Sequence, residues 1–138
     1  MTVSYFTVSY GCLLVAALLP IVCTGLAKQD GFGRSPREGG YDNVNPRAWQ
    51  ARQEGRSAWA YAAQANSFEA LPLFIAAVLV AHQMGAILAI VDALSVAFVI
   101  LRIVYIWAYI TGRAALRSLV WVAALGVNIA LLFSGLVR

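Results

Sequence analysis

Apolar residues dominate four long stretches of the chain, and polar residues gather in the connections between them. This pattern predicts helices at about residues 5–27, 46–82, 92–111 and 117–137. Each stretch holds close to the roughly 20 apolar residues that cross the hydrocarbon core of a bilayer. Because backbone groups in lipid must be hydrogen-bonded within their own segment, the spans are expected to be helices. The predicted fold class is all-α integral membrane, a four-transmembrane-helix bundle with residues 1–138 as a single domain.

The composition excludes an ordinary soluble domain. Of the 138 residues, 62% are hydrophobic and 12% are charged, whereas a soluble domain has about 25% charged residues. No Lys or Arg precedes the first span, and its apolar run exceeds the roughly 7–15 residues of a signal peptide. We therefore expect this span to be a retained helix. Its two cysteines, Cys12 and Cys23, are too far apart along one helix axis for a disulfide.

The basic residues predict the orientation of the chain. Six of the ten lie between the end of the first span and Trp59, where the membrane-crossing part of the second begins. Arg113 and Arg117 lie at the connection between the last two spans, whereas residues 82–92 contain no Lys or Arg. The positive-inside rule then places the first and third connections in the cytoplasm and both termini outside. An inner membrane that borders the cytoplasm is the expected location. The net charge of +4 reflects this topology, so no nucleic-acid partner is expected.

The second span carries polar residues that a plain membrane anchor would lack. Gln64, Asn66 and Glu69 lie in its cytoplasmic half, and Pro72 follows them. A charge inside a membrane helix is costly, so a functional role is the default hypothesis for Glu69. Asn66 and Glu69 are three residues apart and share one face of the helix.

The third span carries a matching cation. Arg102, Tyr105 and Tyr109 form a single stripe, and Arg102 lies at a depth similar to that of Glu69. Charges buried in membranes tend to pair, so a Glu69–Arg102 contact is predicted, within the chain or across a subunit boundary. Two interpretations stay open: the pair only locks the helices together, or it also shapes a polar cavity that opens to the cytoplasm.

Other polar residues have structural interpretations. His82 reads as an interfacial residue, Asp92 as the N-cap of the third span, and Trp121 as an interfacial anchor. Asn128 is expected to form an interhelical hydrogen bond. The chain has a single histidine and no metal-ligand spacing, so no metal site is predicted.

Polar groups therefore collect at the cytoplasmic face as a set of amides, phenols, guanidinium groups, a carboxylate and a hydroxyl. A carboxylate can hold an ammonium group, and guanidinium groups bind carboxylates. This set suits a small zwitterionic or peptide-like ligand, with neighbouring subunits needed to complete the pocket. The residues are Gln64, Asn66, Glu69, Arg102, Tyr105, Tyr109, Arg117 and Ser118.

Three motifs carry a resemblance to a known family. They are Gln64-x-Asn66-x-x-Glu69-x-x-Pro72-Leu73-Phe74, Arg102-x-x-Tyr105-x-x-x-Tyr109, and Arg117-Ser118. With its four spans and cytoplasmic first connection, the chain resembles a bacterial member of the MAPEG family, the membrane-associated proteins of eicosanoid and glutathione metabolism. The resemblance covers essentially the whole chain.

The resemblance implies a homotrimer with glutathione bound between adjacent subunits near the cytoplasmic face. It implies a transferase or peroxidase type of enzyme that acts on hydrophobic electrophiles arriving from the lipid bilayer. By the same resemblance, Arg117, with Ser118 beside it, stabilises the reactive thiolate, and Arg102 pairs with Glu69. The tripeptide itself is contacted by Gln64, Asn66, Glu69, Tyr105 and Tyr109.

The second span also differs from the eicosanoid enzymes of this family, which carry further arginines upstream of the Asn and Glu. The corresponding positions here are Trp59 and Ala62. Lys28, Arg52 and Arg56 are the candidates to replace those arginines.

Two other classes of function are therefore considered. One is a non-catalytic MAPEG-like accessory or structural subunit of a larger membrane complex. The other is a small four-helix exporter, which requires a carboxylate in its first helix. Residues 5–27 contain no acid, which disfavours the exporter.

Overall fold

The computed structural model describes residues 6–137, which form five α-helices and no β-strand. Four of these helices are long and apolar enough to cross a membrane, which confirms the predicted fold class. Tyr5, where the first predicted span begins, lies outside the described residues. The helices are α1 (Val8–Lys28), α2 (Pro46–Ala51), α3 (Gly55–Gln83), α4 (Leu88–Ile110) and α5 (Ala114–Phe133).

The bundle core lies between the four long helices. Helix α1 packs mainly on α3 and α4 mainly on α5, and α3 also contacts α4 and α5. At the centre, the rings of Phe74 and Phe98 stack with centroids 4.1 Å apart. Ala77 and Ala81 on α3 are fully buried. Small residues at an interface let membrane helices approach closely and gain van der Waals contact.

The predicted helix at 46–82 is two helices. Helix α2 ends at Ala51, and α3 begins at Gly55. Gly55 has φ +57°, a left-handed conformation that a glycine adopts without steric cost. The single continuous helix was therefore a wrong prediction. Helix α3 continues without interruption through Pro72.

The other two predicted helices also differ from the observed ones at their ends. Helix α4 begins four residues before 92, and α5 begins three residues before 117 and ends at Phe133. Glycines in left-handed conformations, Gly85 at φ +70° and Gly112 at φ +71°, precede these helices and set where the chain turns.

Asp92 does not cap α4. Its carboxylate accepts a hydrogen bond from the backbone N–H of Ser9 in the first turn of α1, at 2.8 Å. Ser9 is fully buried, and its hydroxyl lies 2.9 Å from Nε2 of His82. Asp92 and His82 therefore hold the start of α1 against the adjoining ends of α3 and α4.

The long first connection is organised by aromatic rings. Trp49 of α2 is only 3% exposed and makes edge contacts with Tyr41 and Tyr61. Lys28 donates a hydrogen bond to the Tyr41 hydroxyl. The carboxylate of Asp42 accepts hydrogen bonds from the backbone N–H groups of Asn45 and Val44. These bonds hold the pKa of Asp42 below its usual value. This connection is thus folded against the bundle.

Candidate functional site

Helices α3, α4 and α5 line two adjacent cavities. The first, which we call the mouth cavity, has a volume of about 210 Å³ and is lined by Asn66, Tyr105, Arg117, Ser118, Trp121 and Val122. The second, the inner cavity, has a volume of about 150 Å³ and is lined by Asn66, Glu69, Ala70, Leu73, Phe98, Arg102, Trp121, Ala124, Leu125 and Asn128. Asn66 and Trp121 belong to both cavities, so the two adjoin each other.

Alternating cations and phenols on α4 and α5 connect the walls of these cavities. The Arg102 guanidinium lies over the Tyr105 ring at 4.2 Å from its centroid. Tyr105 meets Tyr109 edge to face with centroids 5.8 Å apart, and the Arg117 guanidinium lies over Tyr109 at 4.4 Å. A guanidinium on an aromatic face gains about 0.5–2 kcal/mol, the larger value where water is excluded. The stacking orients Arg117 at the mouth cavity and Arg102 at the inner cavity.

The predicted contact between Glu69 and Arg102 is not formed within the chain. Both residues line the inner cavity. However, the buried Arg102 donates from Nη2 to Ser67 Oγ at 3.2 Å, and among residues 6–137 it makes no hydrogen bond to Glu69. Ser67 lies one helical turn after Ala63, whose carbonyl accepts from the Ser67 hydroxyl. Arg102 is thus held by a neutral hydroxyl and an aromatic face within the described chain. The other form of the predicted contact, across a subunit boundary, stays a prediction.

Asn66 and Glu69 do lie side by side, as their spacing predicts. Asn66 Nδ2 donates to Glu69 Oε2 at 3.2 Å. This bond orients the Asn66 amide and leaves its Oδ1 buried without a hydrogen-bond partner in the described structure. The Glu69 side chain is exposed on the outside of the single chain. A carboxylate in this position is available to a ligand or to a neighbouring subunit.

Gln64 lies apart from the other predicted site residues. Its amide Nε2 donates to Thr24 Oγ1 on α1 at 2.6 Å, and it lines neither cavity. Tyr109 also lines neither cavity, although its ring contacts the guanidinium of Arg117. The remaining six predicted residues, Asn66, Glu69, Arg102, Tyr105, Arg117 and Ser118, are brought together by the two cavities.

Trp121 and Asn128 are wall residues that the sequence analysis assigned to structural roles. They follow Arg117 by four and eleven residues on α5, which places all three on one face. Asn128 is 3% exposed, and its Oδ1 has no hydrogen-bond partner in the described structure, so the expected interhelical bond to this oxygen is absent. The spacing from Arg117 was the available signal for both residues.

The two positions that correspond to the family arginines, Trp59 and Ala62, line neither cavity. Trp59 lies beside Gly112 at the connection between α4 and α5. A Cβ atom added to that glycine would lie 3.4 Å from the indole ring. Lys28, a candidate replacement, is engaged with the hydroxyl and ring of Tyr41. Among the described residues of this chain, neither Trp59 nor Lys28 lines the two cavities.

A family model described as the MAPEG family matches residues 8–137, nearly the whole chain. The chain belongs to the MAPEG family. Comparisons with curated proteins and with solved structures found no match. Membership identifies it as a MAPEG membrane protein of the eicosanoid and glutathione metabolism type, with the mouth and inner cavities as its candidate site.

Proposed function

We propose that this MAPEG protein is a glutathione-dependent membrane enzyme of the transferase or peroxidase type. The observation that carries the proposal is the mouth cavity, where Arg117, Ser118, Tyr105 and Asn66 converge from three helices. Its substrates are hydrophobic electrophiles that reach the site from the lipid bilayer. The site faces the cytoplasm of a bacterial cell, in keeping with the basic residues of the first and third connections.

The donor set of the mouth cavity fits the thiol end of glutathione. The cavity holds a guanidinium, a hydroxyl and a phenol, which are donors suited to an anionic sulfur and to peptide carbonyls. At about 210 Å³, it is smaller than the roughly 300–1,000 Å³ of typical ligand sites. One chain therefore accommodates only part of a tripeptide. This size supports the proposal of a homotrimer in which an adjacent subunit completes the site.

The chemical role of each residue follows from its position. When bound, glutathione supplies the thiol that conjugates an electrophile or reduces a peroxide. Arg117 favours the anionic form of that thiol, because a nearby cation lowers a thiol pKa from its usual value of about 8.5. The hydroxyl of Ser118, next to Arg117, donates a hydrogen bond to the same thiolate. Glu69, with one oxygen bonded to Asn66, is placed to accept a hydrogen bond from the tripeptide.

The proposal is tested by titrating the purified protein with glutathione in lipid nanodiscs. The unaltered protein should bind saturably, and Arg117→Ala should weaken binding about tenfold or more, the effect of losing a charge-assisted hydrogen bond. Glu69→Gln should weaken binding less. The matched control is Arg113→Ala, which removes an exposed guanidinium four residues earlier that stacks on Trp107 and lines neither cavity.

Two outcomes separate this proposal from its rival. No binding at millimolar glutathione, together with co-purification in a larger complex, would favour the accessory or structural subunit over the enzyme. Equal losses in Arg117→Ala and Arg113→Ala would remove Arg117 from the site. Native mass measurement of the same sample should give three chains per particle.

A further inference from the structure

The inner cavity contains two acceptor oxygens that the described chain does not satisfy. Asn66 Oδ1 and Asn128 Oδ1 are both buried without a hydrogen-bond partner, and both residues line this cavity. An unsatisfied buried polar atom costs about 1–3 kcal/mol, so such atoms are few in native proteins. Two such oxygens on the wall of one cavity indicate a hydrogen-bond donor as the occupant.

The charge around the cavity favours a neutral donor over an ammonium ion. The carboxylate of Glu69 and the guanidinium of Arg102 both line the wall, and their formal charges cancel. Arg102 does not satisfy either oxygen, since it donates to Ser67 and lies on the Tyr105 ring. A hydroxyl group can donate to one of the amide oxygens without bringing a charge into the membrane, where charges are costly.

The rest of the inner cavity is apolar. Its remaining walls are formed by Phe98, Trp121 and short or branched aliphatic side chains from α3 and α5. Ligand sites with this character bind an apolar body and orient it through a few polar groups. The occupant is thus a molecule with a hydrocarbon portion and a hydroxyl group.

The two cavities together run along α5. Arg117 and Asn128 are eleven residues apart, which corresponds to about 16 Å along a helix. Trp121 lies between them on the same face and lines both cavities. A single elongated molecule can therefore present one end at Arg117 and the other at Asn128.

We propose that the inner cavity binds the hydroxyl group of an amphiphilic substrate, with Asn128 Oδ1 as its acceptor. The inference rests on the proposed function for the reaction at the mouth cavity. It narrows the substrate class to long apolar electrophiles that carry a hydroxyl group remote from the reactive carbon. Asn128 thereby becomes a residue that determines specificity.

Binding to the inner cavity can be measured without glutathione or catalysis. The probes are dodecanol and its methyl ether, which differ in that only the alcohol donates a hydrogen bond. In nanodiscs carrying the unaltered protein, corrected for empty nanodiscs, dodecanol should bind about five- to tenfold more tightly than the ether, the effect of one neutral hydrogen bond. In Asn128→Leu this preference should fall to about one. In the control Ile129→Leu, a change on the adjoining exposed surface, it should persist.

Thermal unfolding gives a second readout of the same variants. Asn128→Leu should raise the unfolding temperature, because it removes a buried oxygen that lacks a partner. Asn128→Ala introduces a smaller side chain and replaces the leucine variant if that variant does not fold. It too should abolish the preference for dodecanol.

Specific outcomes would overturn the inference. Equal binding of the alcohol and the ether to the unaltered protein would mean that water alone satisfies the two oxygens. A lowered unfolding temperature in Asn128→Leu with the preference intact would mean that a neighbouring subunit pairs with Asn128. If neither the unaltered protein nor any variant bound glutathione, the proposed function would be contradicted. The preference for dodecanol would still test the inner cavity.

Discussion

Arg102 is the one cation among residues 6–137 whose side chain is almost fully buried, at 2% exposure. It has no carboxylate within hydrogen-bond distance in the described chain. Its charge is accommodated by the Ser67 hydroxyl and by the face of Tyr105. Ser67 is itself fixed by the carbonyl of Ala63. The stability of this part of the bundle therefore depends on shape and stacking more than on an ion pair.

Arg102→Ala should destabilise the protein by about 2–3 kcal/mol, because it removes a charge-assisted hydrogen bond and a buried cation–aromatic contact. Unfolding in a denaturing detergent, followed by circular dichroism, measures the change. Arg113→Ala is the control, since it removes an exposed guanidinium that also stacks on an aromatic ring. It should cost less than about 1 kcal/mol. Equal costs for the two variants would contradict the role given to burial.

At the scale of helices, tertiary partners decide the details that local sequence leaves open. The position of Asp92 in the sequence predicts an N-cap for its own helix, yet its carboxylate accepts a hydrogen bond from the backbone of α1. The donor that it satisfies lies 83 residues away in sequence. Acidic groups stabilise helix N-termini whether they come from the same helix or from another. The start of α1 is therefore coupled to the start of α4.

Asp92→Ala should leave the buried Ser9 N–H without an acceptor and cost about 1–2 kcal/mol. Asp92→Asn keeps an acceptor at that position and should cost less. Hydrogen exchange of the first turn of α1, read by mass spectrometry, should be faster in Asp92→Ala than in Asp92→Asn. Identical exchange in the two variants would show that the carboxyl group does not hold this end of the helix.

The spans and their polar stripes were predictable because length, hydropathy and helical period are local properties. The pairing of Asn66 with Glu69 followed from a three-residue spacing. The hydrogen bond from Arg102 to Ser67 could not be predicted from spacing. Depth in the membrane alone does not distinguish Glu69 from Ser67 as the partner of Arg102. Asn128 was missed because its environment is created by three helices at once, although its spacing from Arg117 places it on the same face of α5.

At the scale of the whole molecule, the polar groups are divided between the two ends of the bundle. The mouth cavity lies where α4 connects to α5, close to the basic connections. The cluster of Ser9, His82 and Asp92 lies at the opposite end of the long helices. The proposed orientation assigns the first end to the cytoplasm.

Cysteine labelling tests this orientation, because Cys12 and Cys23 are buried and should give a low background. Arg37→Cys in the first connection and Gln83→Cys at the end of α3 place thiols at exposed positions. A membrane-impermeant maleimide should label Gln83→Cys in intact spheroplasts and Arg37→Cys only in inverted vesicles. The reverse pattern would invert the proposed topology.

Asn66 and Trp121 are walls of both cavities, so neither cavity can change its occupant without altering the surroundings of the other. Thermodynamic linkage makes such an influence reciprocal. If a thiol at the mouth tightens or loosens the hold on an amphiphile further in, the amphiphile alters the affinity for the thiol by the same factor. Two shared side chains would then make the cooperativity between the two substrates a property of the fold.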